Sequence, residues 1–186
     1  MRPETTASCS SRTWGSPCGA CGSRRIRPRA PWRASLSGKV LVLNGVNLGA
    51  LGTRRPEVYG PQTLGDIEEY LRGEFPGVDL EFRQTDYEGE MVAWIQASAN
   101  AAVSGEERVA LVLNPGAWTH YSYALHDALE AAKVPKAEVH LTNIHARESW
   151  RRHSVVSPAV DAVIAGMGAE GYRAAVSYAL SRLGDR

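Results

Sequence analysis

The segment from Ala137 to His153, AEVHLTNIHARESWRRH, begins as a short strand-like run. It then releases polar side chains in quick succession: Glu138, His140, Thr142, Asn143, His145, Arg147, Arg151, Arg152 and His153. A solvated loop has no use for three imidazoles and three guanidiniums at that density. A pocket for a small anion, with an acid or base in it, does. Glu138 and His140 are two apart in an extended segment, so their side chains share a face, and a carboxylate there can orient an imidazole and favour its charged form. A metal would fit the pair as well, but there is no HExxH, no Cys nearby, and a run of Arg that penalises a cation. No metal is expected, and a satisfied core histidine remains the plain alternative for His140.

A second pair lies upstream. Arg54 and Tyr59 are five apart in TRRPEVYG, within a glycine-rich loop that could close over a substrate. A phenol with an ordinary pKa near 10 is a poor base at neutral pH, whereas one beside a guanidinium is a usable base. The spacing fits a packed Tyr59 and a solvated Arg54 equally well. Joined to His140, the pair describes a base and an acid on opposite sides of one substrate, hence an elimination, isomerisation or hydration.

These groups need a scaffold that brings distant segments together. Lys39–Asn44 and Arg108–Leu113 are continuous apolar runs, as expected of strands covered on both faces. Shorter strands are expected at Val78–Arg83, Ala137–Leu141 and Val160–Ala165. Helices are expected from Thr63, which opens a capping box with Asp66, to about Arg72, and from Glu88 to about Val103 with a stripe of Met91, Ile95 and Ala99. Two more are expected over Thr119–Lys133, with Tyr123, Leu125, Ala128, Leu129 and Ala132 inward, and after Gly168, with Tyr172, Val176 and Leu180 inward. Five alternations of this kind predict an α/β domain with a doubly wound, five-stranded parallel sheet and helices on both faces. Such sheets bind ligands beyond the carboxyl ends of their strands. Asn44 and Asn47, Asn114 and His120, and Thr142 with its neighbours all follow strand ends and can therefore converge.

Composition narrows the function. Residues 1–38 carry seven Arg against one acid, leaving 39–186 at −5 within a chain of net charge +1. A mildly acidic domain argues against a nucleic-acid surface. All three Cys (9, 18 and 21) lie in the basic extension, where Gly and Pro around Cys18-Gly-Ala-Cys21 deny it a redox helix. Disulfides cannot hold residues 39–186, so a reducing, cytoplasmic setting is natural. No apolar run spans a membrane, and the extension, expected to be disordered, has at most the composition of an organelle transit peptide. The loop GVNLGALG is neither GxGxxG nor a Walker loop, which weakens a nucleotide reading and leaves a flavodoxin-like flavin binder as an alternative by topology alone.

Several stretches together resemble type II 3-dehydroquinate dehydratase, the type II dehydroquinase of the shikimate pathway: LVLNGVNLGALGTRRPEVYG, QTDYEGEMVAWI, VLNPGAWTHYSYALHDAL, EVHLTNIHARESWRRHS and VIAGMGAEGY. The resemblance covers residues 39–183. It implies a flavodoxin-like domain that eliminates water from 3-dehydroquinate without a cofactor, through an enolate. On that resemblance Tyr59, activated by Arg54, removes a proton, Asn47 stabilises the enolate, and His140, oriented by Glu138, protonates the departing hydroxyl. Asn114, His120, Leu141, Thr142 and Arg151 would hold the substrate, Arg147 would shape the site, and Asp127 would reach in from a neighbouring subunit. Trimers grouped into a homododecamer are implied as well.

The chain departs from the family pattern at Val46 (usually Pro), Arg55 (Glu), Asp86 (Asn), Tyr121 (Thr), Thr142 (Ser), His126 (Arg) and Ser149 (Glu). None of the proposed proton-transfer groups is lost. The departures leave room for a catalytically impaired or regulatory relative that binds shikimate-like carboxylates.

Overall fold

The computed structural model describes residues 38–54 and 59–184. The expectations for the basic extension and for Arg55 fall outside them. The strands are β1 (Lys39–Asn44), β2 (Asp79–Gln84), β3 (Val109–Asn114), β4 (Lys136–His140) and β5 (Ala162–Ala165). The helices are α1 (Leu64–Glu74), α2 (Glu88–Ser104), α3 (Tyr123–Ala131) and α4 (Ala169–Leu183), with short 3-10 turns between. All strand pairs are parallel, in the order β2-β1-β3-β4-β5. Helices α2 and α3 pack together on one face, and α1 and α4 on the other, as the alternating pattern predicts.

The central strands are apolar throughout because both of their faces are covered. Val40, Val42, Leu43, Ala110, Leu111, Val112 and Leu113 are wholly buried. Helix α1 starts where the capping box predicts. The Thr63 hydroxyl accepts from Asp66 N at 3.1 Å while the Asp66 carboxylate accepts from Thr63 N at 2.8 Å.

Three local expectations change. Tyr123 is 68% exposed rather than inward, because Ser122 accepts from Leu125 N and starts α3 there, leaving Thr119 and His120 in a separate 3-10 turn. In α2 the third buried position is Ser98, not Ala99; its hydroxyl is satisfied by the Trp94 carbonyl at 2.9 Å. Strand β5 begins at Ala162, since Asp161 is engaged with Lys136 through both its backbone N–H and its carboxylate.

The loops after β1 and β3 touch backbone to backbone. A Cβ on Gly45 would stand 2.6 Å from the Pro115 carbonyl oxygen, and one on Gly116 2.7 Å from the Val46 carbonyl oxygen. Gly116 also has φ +60°. Only glycine allows this approach, and it brings the segment carrying Asn47 against the segment that follows Asn114.

Candidate active site

A cleft of about 640 Å³, counting its open mouth, lies at the carboxyl ends of the strands. It is lined by Asn47 and Leu51 from the loop after β1, by Arg54 and Tyr59 further along, and by Asn114 and His120 after β3. His140, Leu141, Thr142, Arg147 and Arg151 come from the end of β4 and the turns beyond it. Residues more than ninety positions apart in sequence thus converge on one cavity.

Glu138 and His140 project from the same face of β4, and His140 Nε2 lies 2.7 Å from Glu138 Oε1. Glu138 is wholly buried. Two further groups reach the same carboxylate: Thr119 Oγ1 donates to Oε1 at 2.5 Å and Ser157 Oγ donates to Oε2 at 2.6 Å. The direction of these bonds follows from their outer end. Ser154 Oγ accepts from the backbone N–H groups of Val156 and Ser157, so its own proton points to Thr119 Oγ1, 2.6 Å away, and the Thr119 proton points to Glu138. Every neighbour donates, so Glu138 is an ionised carboxylate and His140 carries a proton on Nε2. Burial opposes the charge, but the His140, Ser157 and Thr119 donors outweigh it and hold the carboxyl below its usual range. The His140 Nδ1 atom is the ring nitrogen left for the cleft.

His120 is held differently. Its Nδ1 bonds the His153 carbonyl oxygen at 2.7 Å, which only accepts, so Nδ1 carries the proton and Nε2 a lone pair. Burial, then the nearby charges of Arg151 and His140, push its pKa down. His120 therefore offers the cleft a neutral acceptor at Nε2. Trp150 braces this side: the ring meets His120 edge-on at 5.0 Å and carries the Arg151 guanidinium over its face at 4.0 Å. Glu148 holds Arg151 Nε at 2.9 Å.

At Tyr59 the guanidinium is not the one that local spacing suggests. Arg147 Nη1 donates to the Tyr59 hydroxyl at 2.9 Å, reaches the Thr142 hydroxyl at 3.3 Å, and lies 5.2 Å from the Tyr59 ring centroid. Arg54 lines the same cleft. A residue 88 positions away outcompetes one five away because the turn after β4 folds back over the loop after β1. A guanidinium donor on a phenol oxygen stabilises negative charge there.

Asn47 has φ +67°, the only positive φ of a non-glycine among the described residues. Its backbone N–H donates to Asp86 Oδ1 at 2.6 Å, which helps hold this conformation. Asp86, where the family pattern has Asn, thereby acts on the loop carrying Asn47.

Other expected residues stand outside the cavity. Asp127 is exposed on α3 and does not line the cleft of its own chain. His145, Arg152 and His153 are exposed, and His153 contributes only its carbonyl. Asn143 caps the turn at Ile144 by accepting from His145 N at 3.0 Å. The density of polar residues after β4 therefore overstates the site. Thr119, Ser154, Ser157 and Tyr172, unremarked as polar groups in the sequence, bond the groups that hold it. Ser154 and Ser157, three apart in HSVVSP, were the available signal.

The family model for class II dehydroquinase matches residues 38–180. The chain belongs to this family. This class II dehydroquinase is 51% identical over 148 residues to the 3-dehydroquinate dehydratase of Kineococcus radiotolerans, covering 78% of the chain and 97% of the relative. It is 50% identical over 141 residues to that of Thermus thermophilus, covering 75% and 91%. Among solved structures, the type II dehydroquinase from Propionibacterium acnes aligns with TM-score 0.71 at 46% identity, covering 78% of this chain and 97% of that one. The Butyrivibrio crossotus type II dehydroquinase aligns with TM-score 0.68 at 35% identity, covering 76% and 96%. The all-parallel five-stranded fold expected from the sequence is thus the fold of this family.

Proposed function

We propose that this class II dehydroquinase is a 3-dehydroquinate dehydratase that eliminates water from 3-dehydroquinate to give 3-dehydroshikimate. The single observation that carries the reading is a phenol under a guanidinium (Tyr59, Arg147) and an imidazole backed by a buried carboxylate (His140, Glu138), both lining one cleft. Relatives at about half identity, covered over nearly their whole length, bear the same activity in their names.

In this mechanism Tyr59 removes the proton next to the substrate ketone, and the Arg147 guanidinium, with Arg54 in the same cleft, stabilises the phenoxide that does so. Negative charge then develops on the carbonyl oxygen, and the carboxamide of Asn47, held in a fixed loop, stabilises the enolate as an uncharged donor. Hydroxide is a poor leaving group, so its departure takes a proton that His140, in its imidazolium form, delivers from Nδ1 while its Nε2–H stays with Glu138. The C–O bond breaks as the enolate collapses to the enone, and the products are the enone acid and water. His120, as a neutral acceptor, and Asn114 bind substrate hydroxyls, while Arg151 and the amides at Leu141 and Thr142 receive the carboxylate. The proton ledger closes without a cofactor, because the proton taken at Tyr59 equals the one given by His140.

No helix among the described residues is long and apolar enough to cross a membrane. A cytoplasmic location and assembly into trimers of a homododecamer, with Asp127 turned toward a neighbouring subunit, extend the same reading. The exposure of Asp127 is compatible with that role.

The test is incubation with 3-dehydroquinate while the ultraviolet absorbance of the conjugated product is followed. The wild type should show a continuous rise, Tyr59→Phe and His140→Ala almost none. Binding of substrate with no absorbance gain by the wild type would instead support a non-catalytic relative.

A further inference from the structure

Beneath the cleft floor, α4 sends one hydroxyl into the carboxyl ends of β1 and β3. Tyr172 is completely buried. Its Oη donates to Asn44 Oδ1 at 2.6 Å and accepts from Asn114 Nδ2 at 2.8 Å. Asn44 Nδ2 donates to the Arg83 carbonyl oxygen at 3.2 Å, and Gly116 N–H donates to Asn114 Oδ1 at 3.2 Å.

The two ends of this chain of bonds set its direction. A carbonyl oxygen only accepts, so Asn44 must present its amino group to Arg83 and its oxygen to Tyr172. The hydroxyl must then donate to Asn44 and can only accept from Asn114. At the other end a backbone N–H only donates, so Asn114 must turn its oxygen to Gly116. The same orientation is demanded from both sides. Burial pushes the Tyr172 phenol far above its ordinary pKa, so the hydroxyl keeps its proton and the polarity does not invert with pH.

We propose that Tyr172 is a positioning residue for the substrate site: its hydroxyl locks the carboxamide of Asn114, so that the remaining amino proton and oxygen lone pair face the cleft in a fixed sense. This rests on the reading of Asn114 as a substrate-binding residue. Tyr172 touches no cleft volume itself and acts only through Asn114. Buried networks of this kind specify one orientation when every member is satisfied, and no buried side-chain polar atom among the described residues lacks a partner.

The experiment is a kinetic double-mutant cycle with Tyr172→Phe and Asn114→Ala. Tyr172→Phe should raise KM for 3-dehydroquinate about 2- to 13-fold, the range of one neutral hydrogen bond, with kcat changed less than about twofold. In the Asn114→Ala background the same change should leave KM unaltered. A loss of thermal stability with unchanged KM, or a KM effect that persists without Asn114, overturns the proposal. If Asn114→Ala itself leaves KM at the wild-type value, the assignment of Asn114 to substrate binding fails instead. Should Tyr172→Phe not fold, Asn44→Ala serves. With its acceptor gone the Tyr172 hydroxyl is free to rotate and no longer has to accept from Asn114, so the carboxamide loses one of its two anchors and KM should rise only when Asn114 is present. An Asn44→Ala effect on KM that is absent from the wild-type background, or equally large without Asn114, overturns the proposal.

Discussion

Glu138→Gln separates the two things this buried carboxylate does. The replacement keeps the shape and removes the charge. Three donors lose a charge-assisted bond, and a neutral bond is weaker by about 1 kcal/mol each, so about 3 kcal/mol of favourable interaction disappears. Against this, burying an ionised carboxylate costs several kcal/mol that the amide avoids. The two roughly cancel, so stability near neutral pH should move little. Catalysis has no such compensation. The charged, acid form of His140 loses a partner worth about 1.5–3 kcal/mol, so the acid is harder to load with its proton and kcat falls about 10- to 150-fold. The pH dependence gives a second readout. Because donors hold the Glu138 pKa below its usual range in the folded chain, its stabilising contribution is complete above about pH 4.3, the ordinary glutamate value, and fades as pH drops through the depressed one. The stability gap between wild type and variant should therefore be flat above that pH and shift toward the variant in acid. Steady-state kinetics at neutral pH and urea unfolding from pH 3 to 7 measure both. A wild-type kcat in a folded Glu138→Gln chain refutes the account of the Glu138–His140 pair.

Arg147→Gln removes the donor on Tyr59 and should lower kcat about 10- to 150-fold; an unchanged kcat would return the activating role to Arg54. Gly116→Ala forces a Cβ against the Val46 carbonyl at a positive φ and should destabilise the fold by about 2–4 kcal/mol in urea unfolding, whereas wild-type stability would mean that the two loops separate freely. Asp86→Ala frees the backbone N–H of Asn47 and should cost about 2- to 13-fold in kcat, with Asp86→Asn close to wild type because it retains an acceptor. Equal losses in both Asp86 variants would point to the charge rather than the hydrogen bond.

The sheet could be read in the sequence because its central strands are apolar on both faces, and the convergence of Asn47, Asn114 and His140 follows from where parallel strands end. The pairing of Glu138 with His140 was legible too, since alternation along a strand fixes it locally. What could not be read were contacts between segments. Arg147 reaches Tyr59 across 88 residues, and no local spacing announces that. Thr119, Ser154 and Ser157 are ordinary loop hydroxyls until the connection after β4 wraps behind Glu138. Tyr172 looks like one more apolar residue on α4, since its ring does fill the core, and only the placement of two asparagines at adjacent strand ends gives its hydroxyl a task. Tyr123 faces solvent against expectation because helical periodicity is indifferent to whether Thr119 or Ser122 starts the helix.

The one-way arrangement of hydroxyls behind Glu138 also bears on how the site resets between turnovers. Each of them spends its hydrogen inward, and Ser154 is pinned by two peptide groups that cannot exchange roles, so the Ser154–Thr119 branch carries no proton from the protein interior back toward His140. If His140 is the acid that the proposed mechanism makes it, it is recharged from the front. In the proposed mechanism Tyr59 ends each cycle one proton richer and lines the same cleft, and the water expelled by the reaction is the natural ferry between them. Emptying of the cleft and restoration of the acid are then a single event.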